Sequence, residues 1–150
     1  MINISNDNKI PAKYDISYYI GIPFLSKGRD ANIGLDCYGL ISLYYKNELS
    51  IVLPEIATSS NAVHKVFSRY LDQISKNYYE IKTPQNNCIV AMNTTPNYPD
   101  IINHFGIYIE DKTTNTNQIL HTLKNTQSHL INSDDIRIKH TIKGYYLWHC

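Results

Sequence analysis

Residues 34–40 read Gly34-Leu35-Asp36-Cys37-Tyr38-Gly39-Leu40, and this stretch decides the fold. Asp36 is a good helix N-cap, because its carboxylate takes a backbone N–H of the first turn. Leu40, Ile41 and Tyr44 fall three, four and seven places after Cys37, the spacing of one apolar helix face. Cys37 is therefore expected in the first turn of a helix running to about Asn47. There the unpaired backbone N–H groups and the positive end of the helix dipole favour thiolate over thiol, and a thiolate is a nucleophile. The other reading is a small buried hydrophobe, the usual state of a free cysteine.

Upstream, the stretch from Gly21 to Gly39 holds four of the six glycines, together with Pro23. It reads as a shaped loop feeding the helix, preceded by a short helix over Lys13 to Ile20. Downstream, Ile51-Val52-Leu53-Pro54 is an extended exit. From Ser59 to about Asn77, Val63, Val66, Phe67, Tyr70, Leu71 and Ile74 form a second helical stripe that Ser59 or Ser60 can cap. After Pro84 the period changes. Cys88 to Met92 reads as a buried strand. His104 to Ile109 alternates, with Phe105, Ile107 and Ile109 on one face and His104, Gly106 and Tyr108 on the other. A polar hairpin loop, Glu110 to Asn117, leads to a return strand over Gln118 to Leu123. Ile136 to Ile138 and Tyr145 to Trp148 are candidate last strands. Helices first and an antiparallel sheet after them make the fold class α+β.

The 150 residues, 43% of them hydrophobic, fit a single domain over 1–150 with a real core. A net charge of +1 with no run of Lys or Arg excludes a nucleic-acid binder held by phosphate contacts. No segment approaches the roughly 18 apolar residues of a membrane span. Met1 to Tyr14 is polar and lacks an apolar signal core, so synthesis in the cytosol without a signal peptide is expected. Cys37, Cys88 and Cys150 form neither a disulfide framework nor a CxxC metal pattern, and His149-Cys150 reads as a frayed terminus.

Cysteine catalysis needs a base, a group that orients the base, and donors for the developing oxyanion. His104 lies opposite the apolar side of its strand and can point out of the core. His121 lies on the next strand, and paired antiparallel strands bring such side chains within about 5 Å at Cβ. Helix-start N–H groups can supply part of the oxyanion hole. The order Cys, His, polar residue is that of papain-like catalysis. Arg29 and Asp30 can bind substrate, with a contact holding the glycine loop as the equal alternative. Tyr108 shares the face of His104 and can line the cleft. His64 and His129 read as surface residues, and His140 has no evident partner.

These residues resemble a known family. Tyr19-Ile20-Gly21-Ile22-Pro23-Phe24, Gly28-Arg29-Asp30 and Gly34 to Leu40 together resemble the nucleophile region of the NlpC/P60 cysteine peptidases, closest to the branch found in bacteriophage tails. His104-Phe105-Gly106-Ile107-Tyr108-Ile109 resembles the second motif and Ile119-Leu120-His121 the third. Lys143-Gly144-Tyr145-Tyr146 is similar to the end of tail-type members. The resemblance implies a papain-like fold, N-terminal helices packed on a C-terminal antiparallel sheet. It also implies a cysteine endopeptidase acting on peptidoglycan peptide stems, with Cys37 as nucleophile, His104 as general base and His121 as orienting residue. Phe24, Arg29, Asp30, Tyr38 and Tyr108 are the candidate substrate-binding residues. No metal or organic cofactor is implied, and no membrane insertion. The expected setting is a virion tail acting at the cell wall, with tail-tip proteins as partners. The alternatives are a structural protein of the tail tip and a secreted antibacterial effector.

Three departures stand out. Phe24 replaces a tyrosine whose hydroxyl reaches the site in many members. The usual glycine pair reads Lys27-Gly28, and the usual Gly-Asp before the second motif reads Asn86-Asn87-Cys88.

Overall fold

A computed structural model gives the fold over residues 13–55, 78–95, 97 and 101–148. The helical stripe over 59–77, His64 and Cys150 lie outside the described residues. A single 3-10 turn, Ile16–Tyr19, stands where a short helix was expected over Lys13 to Ile20. Two short strands, β1 (Arg29–Asp30) and β2 (Gly34–Leu35), pair antiparallel and form the neck of the glycine loop. The first helix, α1, spans Cys37–Leu49 and is capped as the sequence predicts: the Asp36 side chain accepts the Gly39 N–H at 2.7 Å. Ser50, in the left-handed region at φ 56°, ends it.

The rest is one six-stranded antiparallel sheet, built from β3 (Tyr78–Ile81), β4 (Ile89–Met92), β5 (His104–Asp111), β6 (Thr116–His121), β7 (His129–Asn132) and β8 (Ile142–Trp148). Their order across the sheet is β3-β8-β4-β5-β6-β7, so the last strand of the chain is inserted between the first two. The α+β prediction holds. Its boundaries shift: β5 and β6 run further, to Asp111 and from Thr116, because their pairing continues through Asp111 and Thr116. One expected strand is a correction. Ile136–Lys139 forms a helical turn, α2, because the Asp135 side chain caps it by accepting the Arg137 N–H at 2.9 Å.

Both faces of the sheet are covered. Ile89, Ala91, Phe105, Ile107 and Leu120 pack with Cys37, Tyr38, Leu40, Ile41, Tyr44 and Tyr45, the loop and α1 side. Cys88, Val90, Met92, Tyr108 and Ile119 pack with Ile138 of α2 on the other. That is why β4 is an unbroken apolar run. Buried Glu48 ties the segment before the loop to α1. Its carboxylate accepts the Lys13 and Tyr14 N–H groups at 2.7 and 2.9 Å and the Tyr19 hydroxyl at 2.6 Å.

Two non-glycine residues take the backbone positions where the family pattern differs. Lys27 has φ 62° and Asn87 has φ 70°, so each holds a left-handed conformation without a glycine. Gly39 is required for a different reason. A Cβ there would stand 2.1 Å from the Gly28 carbonyl oxygen, which is backbone and cannot move aside cheaply. Gly39→Ala is therefore expected to destabilise the protein by about 1–3 kcal/mol, the usual cost of overpacking, read as a lowered denaturant midpoint with unchanged m-value.

Candidate active site

Cys37 opens α1 and is 8% exposed. Backbone N–H groups of Tyr38 and of Phe105, the residue after His104, point at its sulfur. The helix start thus meets the start of β5. Burial, then the neighbouring Asp36 carboxylate, push the thiol up to about 12; the two N–H groups and Arg29 act the other way and do not prevail. The resting group is a thiol, where the helix dipole alone predicts a thiolate. A partial charge at a helix end is worth about 1 kcal/mol, less than the cost of placing a thiolate in a site this dry.

His104 is 3% exposed and His121 1%, so neither points out of the core into solvent. His104 Nε2 and His121 Nδ1 stand 2.9 Å apart. This contact leaves Nδ1 of His104 as the nitrogen free of His121. Burial, with the charges of His121 and His129, holds His104 well below the ordinary histidine range. Burial, then His129, brings His121 down to about 4. Both rings are neutral at pH 7.

Those two lowered values carry a stability prediction. The unfolded chain protonates His121 near its ordinary value of about 6.5, the folded chain only near 4. Stability is complete above about 6.5 and falls as pH drops through that window, because protons bind the unfolded state. The loss from His121 alone is on the order of 3 kcal/mol. Urea melts from pH 7 to 4 should show it, and His121→Gln should flatten the curve.

Around Cys37, Asp36 collects three donors: Gly39 N–H, Lys27 N–H at 3.1 Å and Arg29 Nη1 at 2.8 Å. Arg29 also bonds the Gly28 carbonyl and Glu55, and its guanidinium sits 5.3 Å from the centre of the Tyr38 ring. The Tyr38 hydroxyl donates to the Pro54 carbonyl. Arg29 and Tyr38 therefore clamp the glycine loop and the exit segment onto α1. Asp30 turns the loop by accepting the Asn32 N–H at 2.9 Å. Phe24 is half-buried, its N–H bonded to the Thr126 carbonyl and its backbone bridged to Leu35. Tyr108 packs in the second core cluster, away from Cys37. His140 bonds its own turn at the Ile136 carbonyl, 2.6 Å away.

The residue that the sequence reading missed is His129. It is half-buried on β7, directly opposite His121, with ring centres 4.4 Å apart. The available signal was hairpin symmetry: His121 and His129 bracket the polar turn 122–128, in which Asn125 takes φ 66°. Among the described residues no three His, Cys, Asp or Glu side chains are placed to hold a metal ion. An open cleft of about 630 Å³ lined by Glu80, Lys82, Lys139 and Lys143 contains none of the candidate residues.

The NlpC/P60 family model matches residues 21–146, which include the glycine loop, Cys37 and all of the sheet histidines. Among solved structures, a protein described as similar to a lipoprotein of the NLP/P60 family, from Staphylococcus aureus, shares the fold with a TM-score of 0.57 at 18% identity. The alignment covers 91% of this chain and 43% of that one, so this chain spans less than half the length of that protein. No curated protein matches the chain.

Proposed function

The chain belongs to the NlpC/P60 family, whose members are generally cell-wall peptidases, and on that premise we propose that it is a cysteine endopeptidase cutting the peptide stems of peptidoglycan. The observation that carries the reading is the His104 Nε2 to His121 Nδ1 contact of 2.9 Å, on the strand whose next residue, Phe105, turns its N–H to the Cys37 sulfur. It spends one nitrogen of His104 on orientation and leaves the other for the thiol.

In the proposed reaction the Cys37 sulfur attacks the amide carbonyl carbon as its proton passes to His104 Nδ1. The carbonyl π pair moves to oxygen, near the Tyr38 and Phe105 N–H groups. Collapse expels the amine, which takes the proton from His104 and leaves a thioester. Water, deprotonated by His104, then attacks the thioester and releases the acid and the thiol. The test is mass spectrometry of peptidoglycan digested with the purified protein. New free amino and carboxyl ends within the stems support the reading; intact stems at high enzyme load reject it.

The setting we propose is a phage tail, supported by the tail-type first motif and the closing Lys143-Gly144-Tyr145-Tyr146. A closed, neutral thiol favours one second reading, a tail-tip structural protein that keeps the fold as a docking module. The two part on Cys37→Ala. A structural protein still gives infective tails with this substitution, whereas a peptidase gives tails that attach and fail at the wall.

A further inference from the structure

His121 carries an unexplained feature. Its Nε2 is buried and has no hydrogen-bond partner. That nitrogen matters because the His104–His121 contact can be made in two ways. In one, His104 Nε2–H donates to His121 Nδ1, so His104 Nδ1 is bare and can take the thiol proton; His121 then carries its proton on Nε2. In the other, His121 Nδ1–H donates, and His104 carries its proton on Nδ1, where it blocks catalysis. What His121 Nε2 faces decides between them.

It faces His129. The two are opposed in the β6–β7 register, and their rings meet at 61° with centres 4.4 Å apart. His129 Nδ1 lies 2.8 Å from the Gln127 carbonyl oxygen, which only accepts, so that nitrogen carries the proton and the lone pair of neutral His129 is on Nε2. Among the described residues, its ring contact is with His121. β6 offers His121, with His104 behind it on β5. The loop 20–24, which bridges to Gln127 and bonds the Ser128 and Thr126 carbonyls, is Ile-Gly-Ile-Pro-Phe.

We propose that His129 is a positioning residue that selects the tautomer of His121, and through it the competence of His104. His129 presents its ring in an edge contact, which favours an N–H over a second lone pair at His121 Nε2 and so a bare Nδ1 on His104. The inference rests on the peptidase reading for its consequence, while its physical core can be observed without any substrate.

The experiment is ¹⁵N NMR of the imidazole nitrogens in the full chain, for wild type, His129→Gln and His129→Leu, at pH 8. In wild type His121 should show Nε2–H and bare Nδ1. Gln, whose amide oxygen accepts, should keep Nε2–H on His121; Leu should leave a mixture. In the same variants kcat should be close to wild type for Gln and about tenfold lower for Leu, with KM unchanged. A bare Nε2 on His121 in wild type, or the same tautomer in the Leu variant as in wild type, overturns the proposal. If wild type and the Leu variant differ in tautomer and wild type cuts no peptidoglycan, the peptidase reading fails alone. Should His129→Leu not fold, the wild-type tautomer and the Gln variant still decide.

Discussion

Cys37→Ala is expected to lower peptidoglycan cleavage by at least about 10⁴-fold while leaving the fold in place. No other described cysteine can substitute. Cys88, with no exposed surface, is held in the core by Val90, Met92 and Ile138, on the sheet face away from α1. The structural cost is small. Alanine keeps the helix start, because the capping bond is donated by the Gly39 N–H to the Asp36 carboxylate and does not involve the cysteine side chain. His104→Ala should match the loss, since in the proposed reaction His104 both takes the thiol proton and returns it to the amine. His121→Ala should lose less, because in the proposed reaction His121 orients the ring without carrying the proton. His140→Ala should lose nothing, its ring being tied to its own turn. Circular dichroism and initial rates on the four variants check the order. A His140 loss equal to that of His104 would contradict the assignment of the base.

This ranking depends on residues that were readable from the chain in unequal degree. Cys37 and the helix behind it were legible because capping and a 3.6-residue period are local, and Asp36 supplies both the cap and the stop for the loop. His104 and His121 were legible because their strands alternate over several residues. β3 and β7 were not. Each has four residues, and their exposed positions carry no two-residue period strong enough to mark a strand. Their place is set by pairing to β8 and β6, which is information from far along the chain. The misreading of His129 as a surface residue follows directly, since only the β6–β7 register puts it against His121. The same applies to Arg29. Its charge suggested a substrate contact or a loop contact with equal force. The ion pairs to Asp36 and Glu55 show it holding the loop. Ile136 to Ile138 misled because isoleucine favours strands, and one capping aspartate outweighed that preference.

In the free protein, Cys37 is expected to react with iodoacetamide at pH 7 about a thousandfold more slowly than an ordinary exposed cysteine. Burial pushes its thiol up to about 12, against about 9 for an ordinary thiol, so the thiolate fraction at neutral pH falls by that ratio. The sign is fixed by the charge that burial penalises. A thiol gains charge on losing its proton and is raised; a histidine gains charge on taking one and is lowered, as His104 is. Both shifts oppose proton transfer from sulfur to nitrogen in the resting site. The alkylation rate, read at Cys37 by mass spectrometry, should therefore climb about tenfold per pH unit from 7 to beyond 10 without a plateau. His104→Ala should change it little, because there is no imidazolium partner to lose. A plateau below pH 8 that disappears in His104→Ala would instead establish a standing thiolate–imidazolium pair. The expected result places the activation step on the substrate. When a carbonyl carbon reaches the sulfur, the negative charge no longer stays on sulfur but moves to the carbonyl oxygen, toward the Tyr38 and Phe105 N–H groups. The proton can then leave for His104 without creating a buried thiolate. A site built this way is inert to small electrophiles and reacts when a bound amide offers the charge somewhere to go.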